Sequence, residues 1–259
     1  MDQRKLLYPI GLSSTPNWGE YTVVVATVGV GNVSQLACDL LVYNLDCRDP
    51  YGTSDDASTP NLMTSSQFYV NEKNHFAVIQ IRAPPFPGCG KKHVVELVSF
   101  LRSTGFARVI VLSSSFAMQR KDAELMESQL RYAMSESFNV IDRQLLQAKK
   151  WPGLIPFEQE VLSGITEGTC KTTYHLPGSG VASYFFDKCS GPNGLPICLL
   201  NCFASEGDNA GDALYVVHKL SQWLNLLPAD KVVLPPHEVW RAPSSWCLLF
   251  GNDSDECLY

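Results

Sequence analysis

The sequence predicts an α/β fold in which a mostly parallel sheet carries helices on both faces. Two observations lead to this fold class. β-branched apolar runs alternate along the chain with segments whose apolar residues recur at helical spacing. The 259 residues are also 45% hydrophobic and only 18% charged, which is enough apolar material for one large core. Strands that alternate with helices favour parallel crossover connections, which is why a mostly parallel sheet is expected. We expect one domain over residues 1–259, with a C-terminal tail at 252–259.

The first predicted unit runs from a strand to a helix through a glycine-containing turn. The run Tyr21–Val30 is rich in β-branched residues and predicts a buried strand that ends in a turn at Gly29 and Gly31. Asn32 at the cap position, with Gln35 three residues later, resembles a capping box and predicts that a helix begins there. The apolar face of that helix consists of Val33, Leu36, Ala37, Leu40 and Leu41.

A second crossover unit follows a polar insertion. Residues 46–65 are rich in Asp, Ser, Thr and Pro, and we expect a surface loop there. The alternating runs Gln67–Asn71 and Phe76–Arg82 predict a hairpin. Apolar residues then recur at helical spacing between Val94 and Leu101, and the apolar run Arg108–Leu112 predicts the next strand.

The second half of the chain is less regular. The charged segment 121–146 has mostly helix-forming residues and predicts one or two surface helices. In chain order the remaining predicted elements are a low-order link over 151–168, a strand at Lys171–Leu176, a turn at Pro177–Gly180, a buried strand at Leu195–Ala204 and a helix at Ala210–Leu227.

The composition argues against several classes of protein. The 26 acidic and 20 basic residues give a formal net charge of -6, whereas a nucleic-acid binder normally has a concentrated basic face. The sequence has no run of about 18 apolar residues and no signal-peptide pattern, so neither a membrane partner nor secretion is expected. The nine cysteines are an odd number spread over a long chain, which favours free thiols in a reducing compartment.

Two segments lie where α/β proteins place ligands, at the carboxyl ends of strands. The segment Val28–Val33 could present backbone N–H groups to a phosphate, but it lacks the third glycine of a dinucleotide fingerprint and the Gly-Lys-Ser/Thr of a P-loop. A structural turn is therefore favoured over nucleotide binding. The residues Ser113–Ser115 follow a predicted strand without the Gly-x-Ser-x-Gly pattern of a catalytic serine, which favours a helix-entry or surface turn.

Carboxylates cluster after the strand Leu195–Ala204. Glu206, Asp208 and Asp212 could hold a hard cation or perform acid/base chemistry. The favoured alternative is that Asp208 or Asn209 caps the helix that follows. The five histidines show no pair at ligand spacing, and the two cysteines of the strand are three residues apart where a zinc knuckle has two. The residues thus predict no metal and no cofactor, and make no positive case for an enzyme.

The C-terminal region combines an apolar cluster with an acidic tail. The cluster Pro243–Gly251 precedes a tail that ends in Cys257, Leu258 and Tyr259 with a free carboxylate. A chain end of this composition can fill an apolar pocket while its carboxylate meets a lysine of a partner. A frayed terminus is the alternative, and composition alone leaves both open.

Four segments, taken together and in this order, resemble the proteasome assembly chaperone 2 family. They are Val28–Leu40, Ala107–Ser115, Ser205–Asn209 and Pro243–Gly251, and the resemblance extends from near residue 18 to near residue 251. Segments 45–66 and 132–168 match poorly and say nothing about a contact surface. The family-motif positions with a structural role are Gly29, Gly31, Asn32, Glu206, Gly207, Asp208, Asn209 and Trp246.

The resemblance implies a nucleoside-phosphorylase-like three-layer sandwich and a chaperone without catalytic activity or cofactor. Members of this family are understood to pair with proteasome assembly chaperone 1, to bind the outer face of the ring of proteasome α subunits, and to prevent off-pathway ring dimers. The implied location is the cytoplasm and the nucleus. The alternative function is a nucleoside-phosphorylase-like or hydrolase-like enzyme, with its site near Gly29, Gly31, Ser113 and Glu206.

The resemblance also bears on the chain end. Proteasome activators and some assembly chaperones end in a hydrophobic residue, a tyrosine and any residue, and this motif enters pockets between α subunits. In this sequence Tyr259 is last and Leu258 is penultimate, so the motif is displaced by one position. The expected partner-binding residues are Cys257, Leu258 and Tyr259.

Overall fold

A computed structural model of the chain describes residues 16–47, 65–156, 174–191 and 194–248. Its strands are β1 (Thr22–Ala26), β2 (Ser66–Asn71), β3 (Phe76–Ile81), β4 (Arg108–Phe116), β5 (Leu130–Met134) and β6 (Ile197–Ala204). Its helices are α1 (Val33–Asn44), α2 (Gly90–Thr104), α3 (Asp122–Leu125), α4 (Val140–Ala148), α5 (Ala182–Cys189), α6 (Ala210–Leu224), α7 (Ala229–Val232) and α8 (Pro236–Val239). The predicted α/β class is confirmed.

The six strands form one sheet in the order β2-β3-β1-β4-β6-β5. The four central strands are parallel, with Thr22 of β1 opposite both Phe76 of β3 and Arg108 of β4. The two edge strands are antiparallel, β2 to β3 and β5 to β6. Strands β1, β3 and β6 are buried along their whole length, because helices cover both faces of a parallel sheet.

Alternate residues of the strands divide the core into two layers. On one face, side chains such as Val24, Ile110 and Leu200 pack against α1 and α6. On the other face, their sequence neighbours, such as Val111 and Leu199, pack against α2 and α5. This period of two follows from the alternating direction of Cβ atoms along a strand, and it gives the predicted three-layer arrangement of helix, sheet and helix.

The turn between β1 and α1 differs from the prediction. The strand ends at Ala26, and Gly31 and Asn32 then adopt left-handed backbone angles, with φ of 63° and 53°. The predicted capping box is wrong: the Asn32 side chain makes no cap hydrogen bond, and Gln35 Nε2 instead donates to the carbonyl oxygen of Arg82 over 3.2 Å. Helix α1 begins at Val33, directly after these two left-handed residues.

Two predictions about the middle of the chain are wrong. The serines 113–115 do not form a turn, because β4 continues through them and pairs with β6 as far as Phe116 opposite Ala204. The charged segment 121–146 contains the edge strand β5 between the helices α3 and α4. Helix α6 ends at Leu224, earlier than predicted, because Asn225 takes a left-handed φ of 54°.

The other predicted elements fall partly outside the described residues. The loop predicted at 46–65 and the link predicted at 151–168 lie largely in the ranges 48–64 and 157–173, which the structure does not describe. The predicted strand Lys171–Leu176 is wrong over 174–176, where the described backbone is irregular. Among the helices of the described ranges, none combines the length and the apolar character that crossing a lipid bilayer requires.

Candidate functional site

The segments that follow the parallel strands meet at the carboxyl edge of the sheet, where α/β proteins generally bind ligands. This edge brings together most of the sequence-predicted site residues. The turn after β1 contains Gly29, Gly31 and Asn32, and the turn after β6 contains Glu206, Gly207, Asp208 and Asn209. Ser113, named for the alternative enzyme site, lies in β4 between the strands that precede these two turns.

Gly31 and Asn209 join the turns after β1 and β6. A Cβ atom at Gly31 would lie 2.2 Å from Asn209 Nδ2 and 2.6 Å from Asn209 Cγ. The Asn209 side chain is held in place because Nδ2 donates to the carbonyl oxygens of Ser205 (3.0 Å) and Gly207 (2.8 Å). Only glycine at position 31 has both the backbone angle and the space that this contact requires.

Gly29 makes a similar close approach to β4. A Cβ atom there would lie 2.6 Å from the carbonyl oxygen of Ser114 and 2.7 Å from its Oγ. The Ser114 hydroxyl donates to the carbonyl oxygen of Val30 over 2.7 Å. Ser114 therefore provides a hydrogen-bond donor for a backbone carbonyl group of the turn after β1 and helps to hold that turn in place.

A third turn, predicted at Pro177–Gly180, packs against the turn after β1 and the end of β4. Its carbonyl oxygens at Pro177 and Gly178 accept hydrogen bonds from the N–H groups of Phe116 (3.0 Å) and Val30 (3.1 Å). A Cβ atom at Gly180 would lie 2.5 Å from the carbonyl oxygen of Val28. The three turns thus pack against one another through the Asn209 side chain and through backbone contacts.

A cleft of about 570 Å³ lies beside these turns. Its walls are mainly apolar and include Ile81, Pro85, Phe116 and Val181, and His93 is the one titratable side chain among the described residues that line it. His93 Nε2 is buried and has no hydrogen-bond partner within the described residues. A lone imidazole in an apolar wall offers neither a nucleophile with a base nor a set of metal ligands.

Two of the three carboxylates after β6 make local hydrogen bonds. Asp208 Oδ1 accepts the N–H of Ala210, the first residue of α6, over 2.9 Å, while the N-cap residue Asn209 makes no side-chain cap hydrogen bond, so the predicted cap is wrong for Asn209. Asp212 Oδ1 accepts from Gln129 Nε2 over 2.6 Å. Glu206 is exposed to solvent. Within the ranges that the structure describes, no cluster of three or more acidic, histidine or cysteine side chains could hold a metal ion.

Trp246 ties the C-terminal part of the described chain to the sheet. Its Nε1 donates to Asp39 Oδ2 on α1 over 3.3 Å, and Asp39 Oδ1 accepts from Gln80 Nε2 on β3 over 2.7 Å. The indole is half-buried against the core layer that contains α1 and α6. The tail residues Cys257, Leu258 and Tyr259 lie outside the described residues, so their partner-binding role stays a prediction.

A buried polar row crosses the sheet near the carboxyl edge, and sequence reasoning missed it. Ser113, Asn201 and Arg131 stand opposite one another on β4, β6 and β5, with 3%, 0% and 2% of each residue exposed. The Arg131 guanidinium donates to Glu127 Oε2 over 2.7 Å and lies 3.9 Å from the buried carboxylate of Glu124. The sequence signal was a polar residue, Asn201, inside an otherwise apolar strand.

The buried cysteines are poor nucleophiles. Burial raises the pKa of the Cys189 thiol to about 12, and it raises the pKa values of Cys38 and Cys198 well above their usual range. These thiols stay protonated at neutral pH, and the thiolate is the reactive form. All seven cysteines within the described residues are free.

Large apolar side chains are exposed in several places away from the cleft. Met118, Leu125 and Met126 lie in the connection between β4 and β5, and two of them are more than 80% exposed. Helix α4 exposes Val140, Ile141 and Leu145. Exposed apolar groups that occur together indicate surfaces that bind other proteins.

Comparison with known proteins gives the family of the chain. A family model described as the PAC2 family matches residues 23–192, more than half of the chain. Proteasome assembly chaperone 2 of Danio rerio is 32% identical over 264 residues, which cover 95% of this chain and 97% of the relative. Proteasome assembly chaperone 2 of Homo sapiens is 31% identical over 273 residues, which cover 98% of this chain and 100% of the relative.

The fold also resembles that of a solved structure. The crystal structure of PbaA from Pyrococcus furiosus, described as an archaeal homolog of proteasome-assembly chaperone, aligns with a TM-score of 0.57 at 16% identity. The alignment covers 86% of each chain. The match over residues 23–192 and the two relatives that cover at least 95% of the chain show that the chain belongs to the PAC2 family.

Proposed function

We propose that this chain is a chaperone for assembly of the proteasome core particle and that it acts by binding other proteins. The observation that carries the proposal is the similarity over at least 95% of the chain to two relatives named proteasome assembly chaperone 2. A likeness that spans both whole chains favours a shared role more strongly than a shared domain would.

In its finer form, the proposal is that the chain is one half of a heterodimer with proteasome assembly chaperone 1. The pair would bind the outer face of the α ring, hold neighbouring α subunits in order and prevent ring dimers, in the cytoplasm and the nucleus. Release on maturation requires that the pair bind the immature ring more tightly than the mature one. A change in the conformation of the ring releases the pair only if the pair has different affinities for the two conformations.

Two features of the structure support binding over catalysis. At the carboxyl edge of the sheet, where an α/β enzyme would hold its substrate, the turns at Gly29 and Gly178 line a cleft whose described walls carry one titratable side chain, His93. The exposed apolar side chains lie elsewhere, on α4 and in the connection between β4 and β5.

Co-expression of the tagged chain with proteasome assembly chaperone 1 and α subunits tests the proposal. We expect the chain to be poorly soluble alone, to become soluble with its partner, and to capture α subunits as a pair. A soluble monomer that captures no α subunits would contradict it. The enzyme alternative predicts thermal stabilisation by nucleosides, phosphate or divalent cations that is lost in Glu206→Ala.

The proposal extends to the chain end. Deletion of residues 257–259 should weaken α-ring binding by the heterodimer without weakening the heterodimer itself, because a terminal carboxylate and two apolar side chains would leave their pocket. Replacement of Asp253 and Asp255 by asparagine in the full-length chain is a matched control for a change in the tail that spares its end. Unchanged α-ring affinity after the deletion would show that the end is frayed.

A further inference from the structure

A rigid turn holds an exposed aromatic side chain beside the apolar cleft. Phe86 is 84% exposed, although it directly follows Pro85, which lines the cleft. The N–H of Cys89 donates to the carbonyl oxygen of Phe86 over 2.8 Å, and Gly88 has φ of 80° after Pro87, which is the pattern of a type II turn. The closed turn and the prolines restrict the backbone, so this segment needs little ordering when it binds another group.

The beginning of helix α2 gives the cleft a positively charged rim. A Cβ atom at Gly90, the first residue of α2, would lie 3.3 Å from Val181 Cγ1 and 3.9 Å from Pro85 Cγ, and both of these residues line the cleft. The first turn of α2 contains the exposed Lys91 and Lys92 and no acidic residue. The positive end of the helix dipole and the two lysines therefore reinforce one another beside the cleft.

Helix α5 adds to this charge from the other side of the rim. The Nζ atoms of Lys188 and Lys91 lie 5.3 Å and 5.8 Å from the ring centroid of the same residue, Tyr184. Within the described residues none of the three rim lysines forms an ion pair, and no carboxylate lines the cleft. An apolar cleft with a positive rim predicts an occupant that combines apolar side chains with negative charges.

The C-terminal segment 249–259, which lies outside the described residues, has this chemistry. It contains no basic residue; its acidic residues are Asp253, Asp255 and Glu256, and its final pair is Leu258 and Tyr259. Because the last acidic residue and the apolar pair are neighbours in sequence, the acids can meet the rim while the pair enters the cleft.

The segment also begins close to the cleft. Trp246 Nε1 donates to Asp39 Oδ2, and Asp39 Oδ1 accepts from Gln80 Nε2 at the end of β3. The next residue of β3, Ile81, lines the cleft. Only two side chains thus separate Trp246 from this strand, whereas the eleven residues 249–259 span up to about 36 Å when extended.

Two other occupants fit the cleft less well. A second copy of the chain that docked through the same face would bring its own lysine rim against this one, and the like charges would repel. A free apolar anion would have to compete with a segment whose local concentration is raised by its covalent link to the chain.

We propose that residues 249–259 bind across the cleft of their own chain, with Leu258 and Tyr259 in the cleft beside Phe86 and the acidic residues opposite Lys91 and Lys92. The inference concerns the free chain and does not rest on the proposed function. Under that function the α ring and the cleft compete for the same chain end, so docking keeps this end from other contacts until a tighter site is offered.

The test measures the fluorescence anisotropy of a labelled peptide of residues 249–259 mixed with the full-length chain. The tail of the wild type competes with the peptide, so the variant Leu258→Ser/Tyr259→Ser should bind the peptide at least about 10-fold more tightly than the wild type does. The matched control is Val95→Ser/Val233→Ser, which replaces valines that are 50% and 83% exposed and should bind as the wild type does. Equal affinity of the wild type and the tail variant would overturn the inference.

Charge reversal at the rim tests the electrostatic part of the proposal. In the tail variant, Lys91→Glu/Lys92→Glu should weaken peptide binding by about 10-fold and make it less sensitive to salt. The matched control is Lys149→Glu/Lys150→Glu, which makes the same change of charge at an exposed lysine pair that does not line the cleft and should leave the affinity unchanged. An equal loss with both pairs would reflect net charge alone and overturn the assignment of the rim.

A crosslink in the wild-type chain provides evidence that needs no peptide. Cys89 is exposed at the end of the turn that begins at Phe86, and Cys257 precedes the final apolar pair. A short bifunctional maleimide should therefore join these two cysteines within one chain, as peptide mapping can show. Phe86→Ser should lower the yield of this link several-fold, whereas Val233→Ser should not.

Two results of the crosslinking would contradict self-docking. A link found only between two chains would mean that the tail of a second copy occupies the cleft, and the absence of any link between Cys89 and Cys257 would mean that the tail lies elsewhere. Neither a partner chaperone nor an α subunit enters these measurements, so their failure would leave the proposed function intact.

Discussion

Gly31 and Asn209 lie in turns from opposite halves of the chain, and the Asn209 side chain occupies the space that any Cβ atom at position 31 would need. The contact requires glycine for two separate reasons. The backbone at Gly31 has φ of 63°, and the nearest side-chain atom lies 2.2 Å from the ideal Cβ position. Strain and steric clash can therefore be separated by experiment.

Gly31→Ala should lower the free energy of unfolding by about 3 kcal/mol, of which the left-handed backbone accounts for about 1–2 kcal/mol. Gly88→Ala is the matched control, because Gly88 has φ of 80° but nothing within 4 Å of its Cβ position. It should cost only the backbone strain. Urea unfolding of both variants measures the difference, and equal costs would show that Asn209 yields without penalty.

A double variant examines the same contact directly. In Gly31→Ala/Asn209→Ala the new methyl group has room, although the bonds to Ser205 and Gly207 are lost. The double variant should therefore be more stable than the sum of the two single effects predicts, by about 1 kcal/mol. Strict additivity would contradict the proposed steric conflict.

Arg131→Ala should be strongly destabilising, by about 3–5 kcal/mol, because it leaves the carboxylate of Glu124, a residue 3% exposed, without its counter-charge. The other carboxylate partner of Arg131 is Glu127, and the Glu127 side chain is 56% exposed. Glu127→Ala should therefore cost less than about 1 kcal/mol. Denaturant unfolding measures both. A small effect of Arg131→Ala would mean that water reaches Glu124.

Asp142→Ala should lower the free energy of unfolding by about 2–3 kcal/mol, because Trp223 Nε1 and the Arg108 guanidinium lose a charged acceptor. Asp142→Asn should cost less, since its amide oxygen can still accept from Trp223. Glu96→Ala, at an exposed position on α2, is the control and should change stability by less than about 0.5 kcal/mol. Equal costs for alanine and asparagine at position 142 would assign the stabilisation to charge alone.

From the burial of the thiols we predict that the free energy of unfolding falls at alkaline pH. The pKa of Cys189 rises from an ordinary value of 9.0 to about 12 because the thiol is buried. Between these pH values the unfolded thiol loses its proton while the folded one keeps it, so rising pH favours unfolding. Cys189→Ala should therefore lose less stability than the wild type between pH 9 and 11, by up to about 1.4 kcal/mol for each pH unit.

Thiol labelling gives an independent measurement of the same property. At pH 8 the exposed Cys89 and Cys247 should react quickly with a disulfide reagent, whereas the buried Cys38 and Cys198 should react only after unfolding. Peptide mapping of the labelled chain identifies the sites. Fast labelling of Cys198 in the folded protein would show that β6 opens readily.

The regular part of the fold could be predicted because its signals are local. The strand, turn and helix around Gly31, the hairpin at β2 and β3, and the helix α6 all show their periodicity within a few residues of sequence. Strand β5 could not be predicted, since it contains Arg131 and charged side chains usually lie at the surface. Its burial depends on Glu124 and Glu127 on one side and on pairing with β6 on the other.

The candidate site was harder to predict than the fold. The sequence located the turns at Gly31 and Asn209 but not the contact between them, because side chains from opposite halves of the chain meet there. The serines 113–115 read as a turn because they are polar, but pairing with Asn201 and its neighbours buries them within β4. On α4 the sequence did not show which apolar residues face outward: Val140 and Ile141 are exposed, whereas Leu146 is buried in the core.

The hydrogen bond from the Val30 N–H to Gly178 has a consequence for synthesis on the ribosome. Strand β1 leaves the ribosome early, yet the turn that follows it is completed only by residues 177–180 and by Asn209. The growing chain also presents β4 with one edge open until β6 has been translated. This end of the sheet therefore cannot finish folding until residues up to Asn209 have left the ribosome.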